Sequence, residues 1–128
     1  MQQVFKNARI NNQITDLLVR DGIIAAIGRL DLPGTDLDGA HLFAGLIDIH
    51  THGAMGQDCV KDDIHQIAAF ELSHGITAFC PTTMSAPLDQ VAAATNRTPN
   101  AGADFLGYHM EGPFLSPAYC GAQNPNVL

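Results

Sequence analysis

The stretch GLIDIHTHG, residues 45–53, decides how the rest of the chain is read. An apolar run ends in two histidines two residues apart. Side chains alternate across a strand, so His50 and His52 share a face, with Cβ atoms about 7 Å apart at a rise of ~3.3 Å per residue. Two imidazoles at that separation can converge on one metal ion through bonds of about 2.1 Å. Asp48 falls on the same face, while Ile47, Ile49 and Thr51 face the other way. Packing gives no reason for such a pair and ligation does. Two hydrogen-bonded, inert histidines at a strand end are the competing reading.

Working outward, LFAGLIDIH (42–50) is nearly continuous apolar, as expected of a strand buried on both faces. DDIHQIAAFELSHG (62–75) predicts a helix, with Asp62 or Asp63 as its cap and Gly75 closing it. Ile64, Ile67, Ala68 and Leu72 form its apolar stripe, and Glu71 is expected in solvent. ITAFCPTT (76–83) predicts a second buried strand. Ser85 and Pro87 open another helix, with Leu88, Val91, Ala92 and Thr95 on one side. ADFLGYHMEG (103–112) predicts a third strand, stopped at Gly112-Pro113. This alternation of strands and helices implies a parallel sheet. Residues 1–41 have a different character: short β-rich runs, VFKNARI (4–10) and ITDLLVRDGIIAAIG (14–28), the latter folded at Asp21-Gly22. A loop rich in Asp, Gly and Pro follows, so 1–41 reads as part of a separate small β domain.

Glu111 is the second clue. The chain has two glutamates, and this one ends a buried strand, where a carboxylate is costly unless a cation or metal meets it. A metal ligand or bridge is the functional reading, and a loop cap or an arginine partner the bland one. His109 shares its face by parity and fits the same site or a hydrogen-bonding role beside it. His65 and His74 read as surface residues, and His41 has no evident partner. There is no Ser-His-Asp set and no phosphate-cradling glycine loop.

Composition narrows the classes. Hydrophobic residues are 46% of the 128, enough for a packed core, and charged residues are 15% with a net charge of −7. The six basic residues, Lys6, Arg9, Arg20, Arg29, Lys61 and Arg97, are scattered, which argues against a nucleic-acid surface. Cys59, Cys80 and Cys120 are an odd count at wide spacing, which does not read as a disulfide framework, and they are read as reduced thiols. No apolar run approaches the ~20 residues that span a bilayer, and the first ten residues lack a signal-peptide core. A cytoplasmic protein is expected.

LLVRDGIIAAIG followed by GLIDIHTHG resembles the opening of the amidohydrolase superfamily. SHGITAFCPTT and GYHMEGPFLSP narrow the resemblance to the N-acetylglucosamine-6-phosphate deacetylases, over essentially the whole chain. That resemblance implies an α/β fold: the first three βα units of a metal-dependent (β/α)₈ barrel in 42–128, preceded by part of a small β-sandwich domain in 1–41. It implies hydrolysis of the acetamide of N-acetylglucosamine 6-phosphate to glucosamine 6-phosphate and acetate, in a homodimer. His50 and His52 match the family's metal-binding pair, and Glu111 its metal-binding carboxylate. The cofactor implied is a divalent metal, zinc or iron, as one or two ions. GAQNPN (121–126) matches a loop that touches the sugar, through Ala122 and Gln123, although the family usually has histidine where Gln123 stands. Related dihydroorotases and hydantoinases bridge their metals with a carboxylated lysine on a later strand. Here the last lysine is Lys61, so none is placed for that part. A barrel takes ~250 residues, so the chain is expected to be an N-terminal portion, with the general base, further metal ligands and phosphate-binding residues beyond Leu128. Alternatives are a non-catalytic remnant, a complementing subunit, or a related amidohydrolase acting on another small molecule.

Overall fold

The computed structural model describes residues 1–128, which divide into two compact units, Met1–Ala44 and Gly45–Leu128.

The first unit is one four-stranded sheet in the order β3-β2-β1-β4: β1 Gln2–Ile10, β2 Gln13–Arg20, β3 Ile23–Gly28 and β4 Thr35–Asp36. The hairpin at Asp21-Gly22 forms as its sequence requires, both residues having positive φ. A second one, at Asn11-Asn12, joins β1 to β2 by the same chemistry, since asparagine tolerates the left-handed region. β4 runs parallel to β1 within the stretch expected to be loop. Val4, Ala8, Leu17 and Leu18 are buried, whereas Ile23, Ile24 and Ile27 of β3 are exposed. The buried Asp16 carboxylate accepts from Lys6 Nζ at 2.7 Å and from the Asn7 and Leu30 amides at 3.0 Å. The Lys6 bond, followed by the two amides, holds its carboxyl well below the usual carboxylate range.

The second unit has a parallel sheet: β5 Leu46–Thr51, β8 Ile76–Thr83, β9 Asp104–Phe105 and β10 His109–Met110, all paired to β8. A two-residue hairpin, β6 Gly53–Ala54 with β7 Gln57–Asp58, follows β5. Helix α1, Ile64–Ser73, connects to β8, and α2, Leu88–Thr95, precedes β9. Asp63 caps α1 by accepting from His65 N at 2.9 Å, and Gly75, with φ of +84°, closes it. The core lies where α1 packs on β8: Cys59, Ile64, Ile67, Ala68, Phe79 and Ala103. Burial pushes the Cys59 thiol up to about 11.

Several expectations need correction. The first strand begins at Leu46 rather than Leu42, and Leu46, Ile47 and Ile49 are more than 60% exposed instead of buried on both faces. β5 is an edge strand, and nothing in residues 45–128 covers those side chains. On α1 the fourth buried position is Glu71, while Leu72 is exposed. Successive helical positions are about 100° apart, so a one-residue turn of the stripe exchanges the two. On α2 the buried residues are Val91 and Ala94; Leu88 and Ala92 face outward. Ser85 lies buried ahead of that helix and does not cap it. The third strand is broken into β9 and β10, because Gly107, with φ of +122°, takes the chain out of the extended region between them.

Two outcomes follow from this packing. Phe79→Ala should cost about 3–5 kcal/mol in denaturant unfolding, the range for a fully buried aromatic ring, whereas Leu72→Ala should be near neutral. Glu71 gives a pH signature. Burial, and then the nearby Asp48 carboxylate, push its carboxyl above the ordinary 4.5. The fold therefore favours protonated Glu71, an advantage complete below pH 4.5 and lost as pH climbs through the raised value. Glu71→Gln, which never ionises, should gain stability relative to wild type as the pH rises from about 4 to 8. Parallel stability profiles would contradict this.

Candidate metal centre

β5 and β10 lie on opposite sides of β8, and their carboxyl ends point the same way because both run parallel to it. Residues at and just past those ends therefore meet at that end of the sheet. On the β5 side, His50 N donates to Asp48 Oδ1 at 2.9 Å, which fixes the backbone entering the pair. The chain turns sharply after His52. Gly53, with φ of +141°, approaches the Gln57 carbonyl so closely that a Cβ would lie 1.9 Å from its oxygen. On the β10 side, Glu111 N donates to Thr83 Oγ1 at 3.2 Å.

The three side chains that parity and strand ends singled out are brought together. His50 Nε2 lies 3.2 Å from His52 Nε2, and Glu111 Oε2 lies 3.2 and 3.3 Å from the two nitrogens. His52 Nδ1 donates to the Thr82 carbonyl at 3.2 Å, which leaves the Nε2 lone pair turned into the cluster. Lone pairs and a carboxylate oxygen facing one another repel unless a proton or cation lies among them. The dimensions fit a cation. Donors bound tetrahedrally at about 2.1 Å lie roughly 3.4 Å apart, close to all three observed separations. Two imidazoles and a carboxylate are also a donor set suited to zinc or ferrous iron. The His/His/Glu cluster is thus capable of coordinating a divalent metal.

His109 is not a member of this triangle. Its ring packs edge-on against His50 with centroids 4.7 Å apart, and its Nδ1 donates to the Ile49 carbonyl at 2.9 Å, so it walls the His50 imidazole. His65 and His74 are exposed on α1 and at its end, and His41 stacks on Phe43 in the other unit. Ala122 is exposed; Gln123 is buried, its Nε2 donating to Glu111 Oε1 at 2.5 Å. The parts that sequence reasoning missed are the Thr82 carbonyl, the Thr83 hydroxyl and the Ser85 amide. Their only signal was the polar PTTMS tail that ends the otherwise apolar β8 run.

A parallel βα sheet with a cluster able to hold a metal at its carboxyl ends matches the α/β folds whose sites lie at that end of the sheet. The chain belongs to the amidohydrolase family, whose pattern matches residues 41–128. It is 33% identical over 121 residues to N-acetylgalactosamine-6-phosphate deacetylase of Escherichia coli, a match covering 88% of this chain and 32% of that protein. It is 32% identical over 130 residues to N-acetylglucosamine-6-phosphate deacetylase of Lysinibacillus sphaericus, covering 91% and 34% respectively. The crystal structure of N-acetylglucosamine-6-phosphate deacetylase from Pasteurella multocida superposes with a TM-score of 0.82 at 24% identity, over 99% of this chain and 38% of that one. The chain thus spans about a third of the length of the relatives it matches. No helix is long and apolar enough to cross a membrane.

Gly112 ties the cluster to its support. Its φ is +79°, and a Cβ there would lie 2.0 Å from Ser85 Oγ. Gly112→Ala should therefore destabilise the unit by more than about 1 kcal/mol, since alanine both strains at positive φ and collides. Unfolding midpoints measure this, and an unchanged midpoint would contradict the packing described.

Proposed function

We propose that this chain supplies metal ligands to an enzyme that hydrolyses the acetamide of N-acetylglucosamine 6-phosphate. Water adds to the acetamide carbonyl, the C–N bond breaks, and acetate and glucosamine 6-phosphate leave. The observation that carries the reading is the triangle of His50 Nε2, His52 Nε2 and Glu111 Oε2, with sides of 3.2–3.3 Å. Its support is the likeness, along most of the chain, to deacetylases of amino-sugar phosphates.

In this reading His50, His52 and Glu111 would hold zinc or iron, as one or two ions. A divalent cation held there would supply Lewis acidity, polarising an amide carbonyl and lowering the pKa of water toward ~7. The chain's own residues do the positioning. The Thr82 carbonyl sets the His52 tautomer, Asp48 fixes the backbone at His50, and the His109 ring closes one side of the His50 imidazole. The Ala122–Gln123 loop belongs at the sugar by resemblance. Both ends of the Gln123 amide are engaged within the protein, so the exposed Ala122 is the surface that meets substrate. The (β/α)₈ barrel, the homodimer, the cytoplasmic location and a proton-transferring aspartate outside these residues are parts of the same proposal. A second reading is the galactosamine epimer as substrate, favoured by the likeness to a deacetylase of that sugar.

Metal content and turnover, measured on the gene product that carries this chain, test the reading. His50→Ala and His52→Ala should each lower both, by more than the ~10–100-fold that loss of an outer hydrogen-bond partner costs. His65→Ala, whose ring only accepts from Asn100 N on the surface, should change neither. Comparing the two N-acetylhexosamine 6-phosphates ranks the epimers. Full turnover in a metal-depleted His50→Ala variant would overturn the proposal.

A further inference from the structure

We infer that Gln123 is a positioning residue for the metal centre: its amide holds Oε1 of Glu111 and thereby presents Oε2 to His50 and His52. The inference rests on the reading of His50, His52 and Glu111 as metal ligands. Gln123 lies in the loop between two short 3₁₀ turns, Pro117–Tyr119 and Pro125–Val127, yet it is only 5% exposed. A glutamine so far buried in a surface loop must have all its polar atoms met. Ser85 N donates to its Oε1 at 2.7 Å, and its Nε2 donates to Glu111 Oε1 at 2.5 Å, with Met84 Sδ at 3.5 Å beside it. The orientation of the amide follows from the partners. A backbone N–H requires the oxygen and a carboxylate requires the NH₂, so a flipped amide would set donor against donor and acceptor against acceptor.

The consequence falls on Glu111. A free carboxylate can rotate about its last bond and offer either oxygen, or both, to a cation. With Oε1 tied to Nε2 by a charge-assisted bond, Oε2 alone is aimed at the two imidazoles. The tie runs through Ser85 to the end of β8, whose Thr82 carbonyl orients His52. One strand end therefore sets the imidazole on one side of the site and, through Gln123, the carboxylate on the other. Lone outer hydrogen bonds of this kind are worth ~10–100-fold in metal affinity.

The test is cobalt(II) titration of the gene product carrying this chain, following the visible ligand-field bands, at a pH of about 8 where unpaired carboxylates are ionised. Gln123→Met removes the donor at similar volume. Gln123→Glu also keeps an acceptor for Ser85 N, so it carries the test if the methionine variant fails to fold. Each folded variant should bind cobalt at least about tenfold more weakly than wild type, with altered bands. His65→Ala should bind as wild type, since its ring lies on the surface and accepts only from Asn100 N. A folded Gln123→Met or Gln123→Glu protein binding within twofold of wild type, with unchanged bands, would overturn the inference. Failure of wild type to bind cobalt, or unweakened binding by His52→Ala, would instead overturn the reading of the metal ligands beneath it.

Discussion

Strand β8 having a partner on each side is the constraint on which the site depends. Its Pro81 pairs with Thr51 of β5, and its Thr82 pairs with His109 of β10. Those registers bring the ends of β5 and β10 level across β8, and residues far apart in sequence come within 3.3 Å. A slip of one residue in the β5 ladder would turn His50 to the other face. Phe79, wholly buried against α1, anchors the same strand from its helical side. Packing in the core and geometry at the cluster are thus two ends of one element.

Two buried or half-buried carboxylates in the second unit are handled in opposite ways. Glu111 accepts from Gln123 at one oxygen and turns the other to two imidazoles, an arrangement with room for a cation. Glu71 has burial and a nearby like charge, which favour its protonated form. In the first unit Asp16 follows the Glu111 pattern, with Lys6 and two amides converging on it. In each case the cost of taking a carboxylate out of water is offset by a named partner or by a proton.

Local chemistry made part of this legible in the sequence. The Asp21-Gly22 turn, the Asp63 cap and Gly75 stop of α1, and the bounds of β8 are written in residues that act on their own neighbours. Strand parity placed His50 and His52 on one face, and the βα order set Glu111 at a neighbouring strand end. What was not legible depends on the surroundings. An apolar run such as 42–50 looks the same whether its faces are covered or bare, so the exposure of Ile47 and Ile49 has no local signature. Glu71 and Leu72 trade places because the helix docks at an angle only its partner strand decides. The break at Gly107 and the hold of Gln123 on Glu111 arise from backbone turns and contacts 12 or more residues away. The resemblance pointed to the loop holding Gln123; the structure showed which group its amide faces.

X-ray absorption at the zinc edge of the zinc-loaded protein addresses the central claim most directly, because it reports ligand type and distance together. Coordination by His50, His52 and Glu111 predicts at least two imidazole rings, seen through their outer-ring scattering, together with oxygen, at about 2.0–2.1 Å. Imidazole scattering should fall in His52→Ala. A shell dominated by sulfur at about 2.3 Å, or an oxygen-only shell with no imidazole signal, would contradict the account.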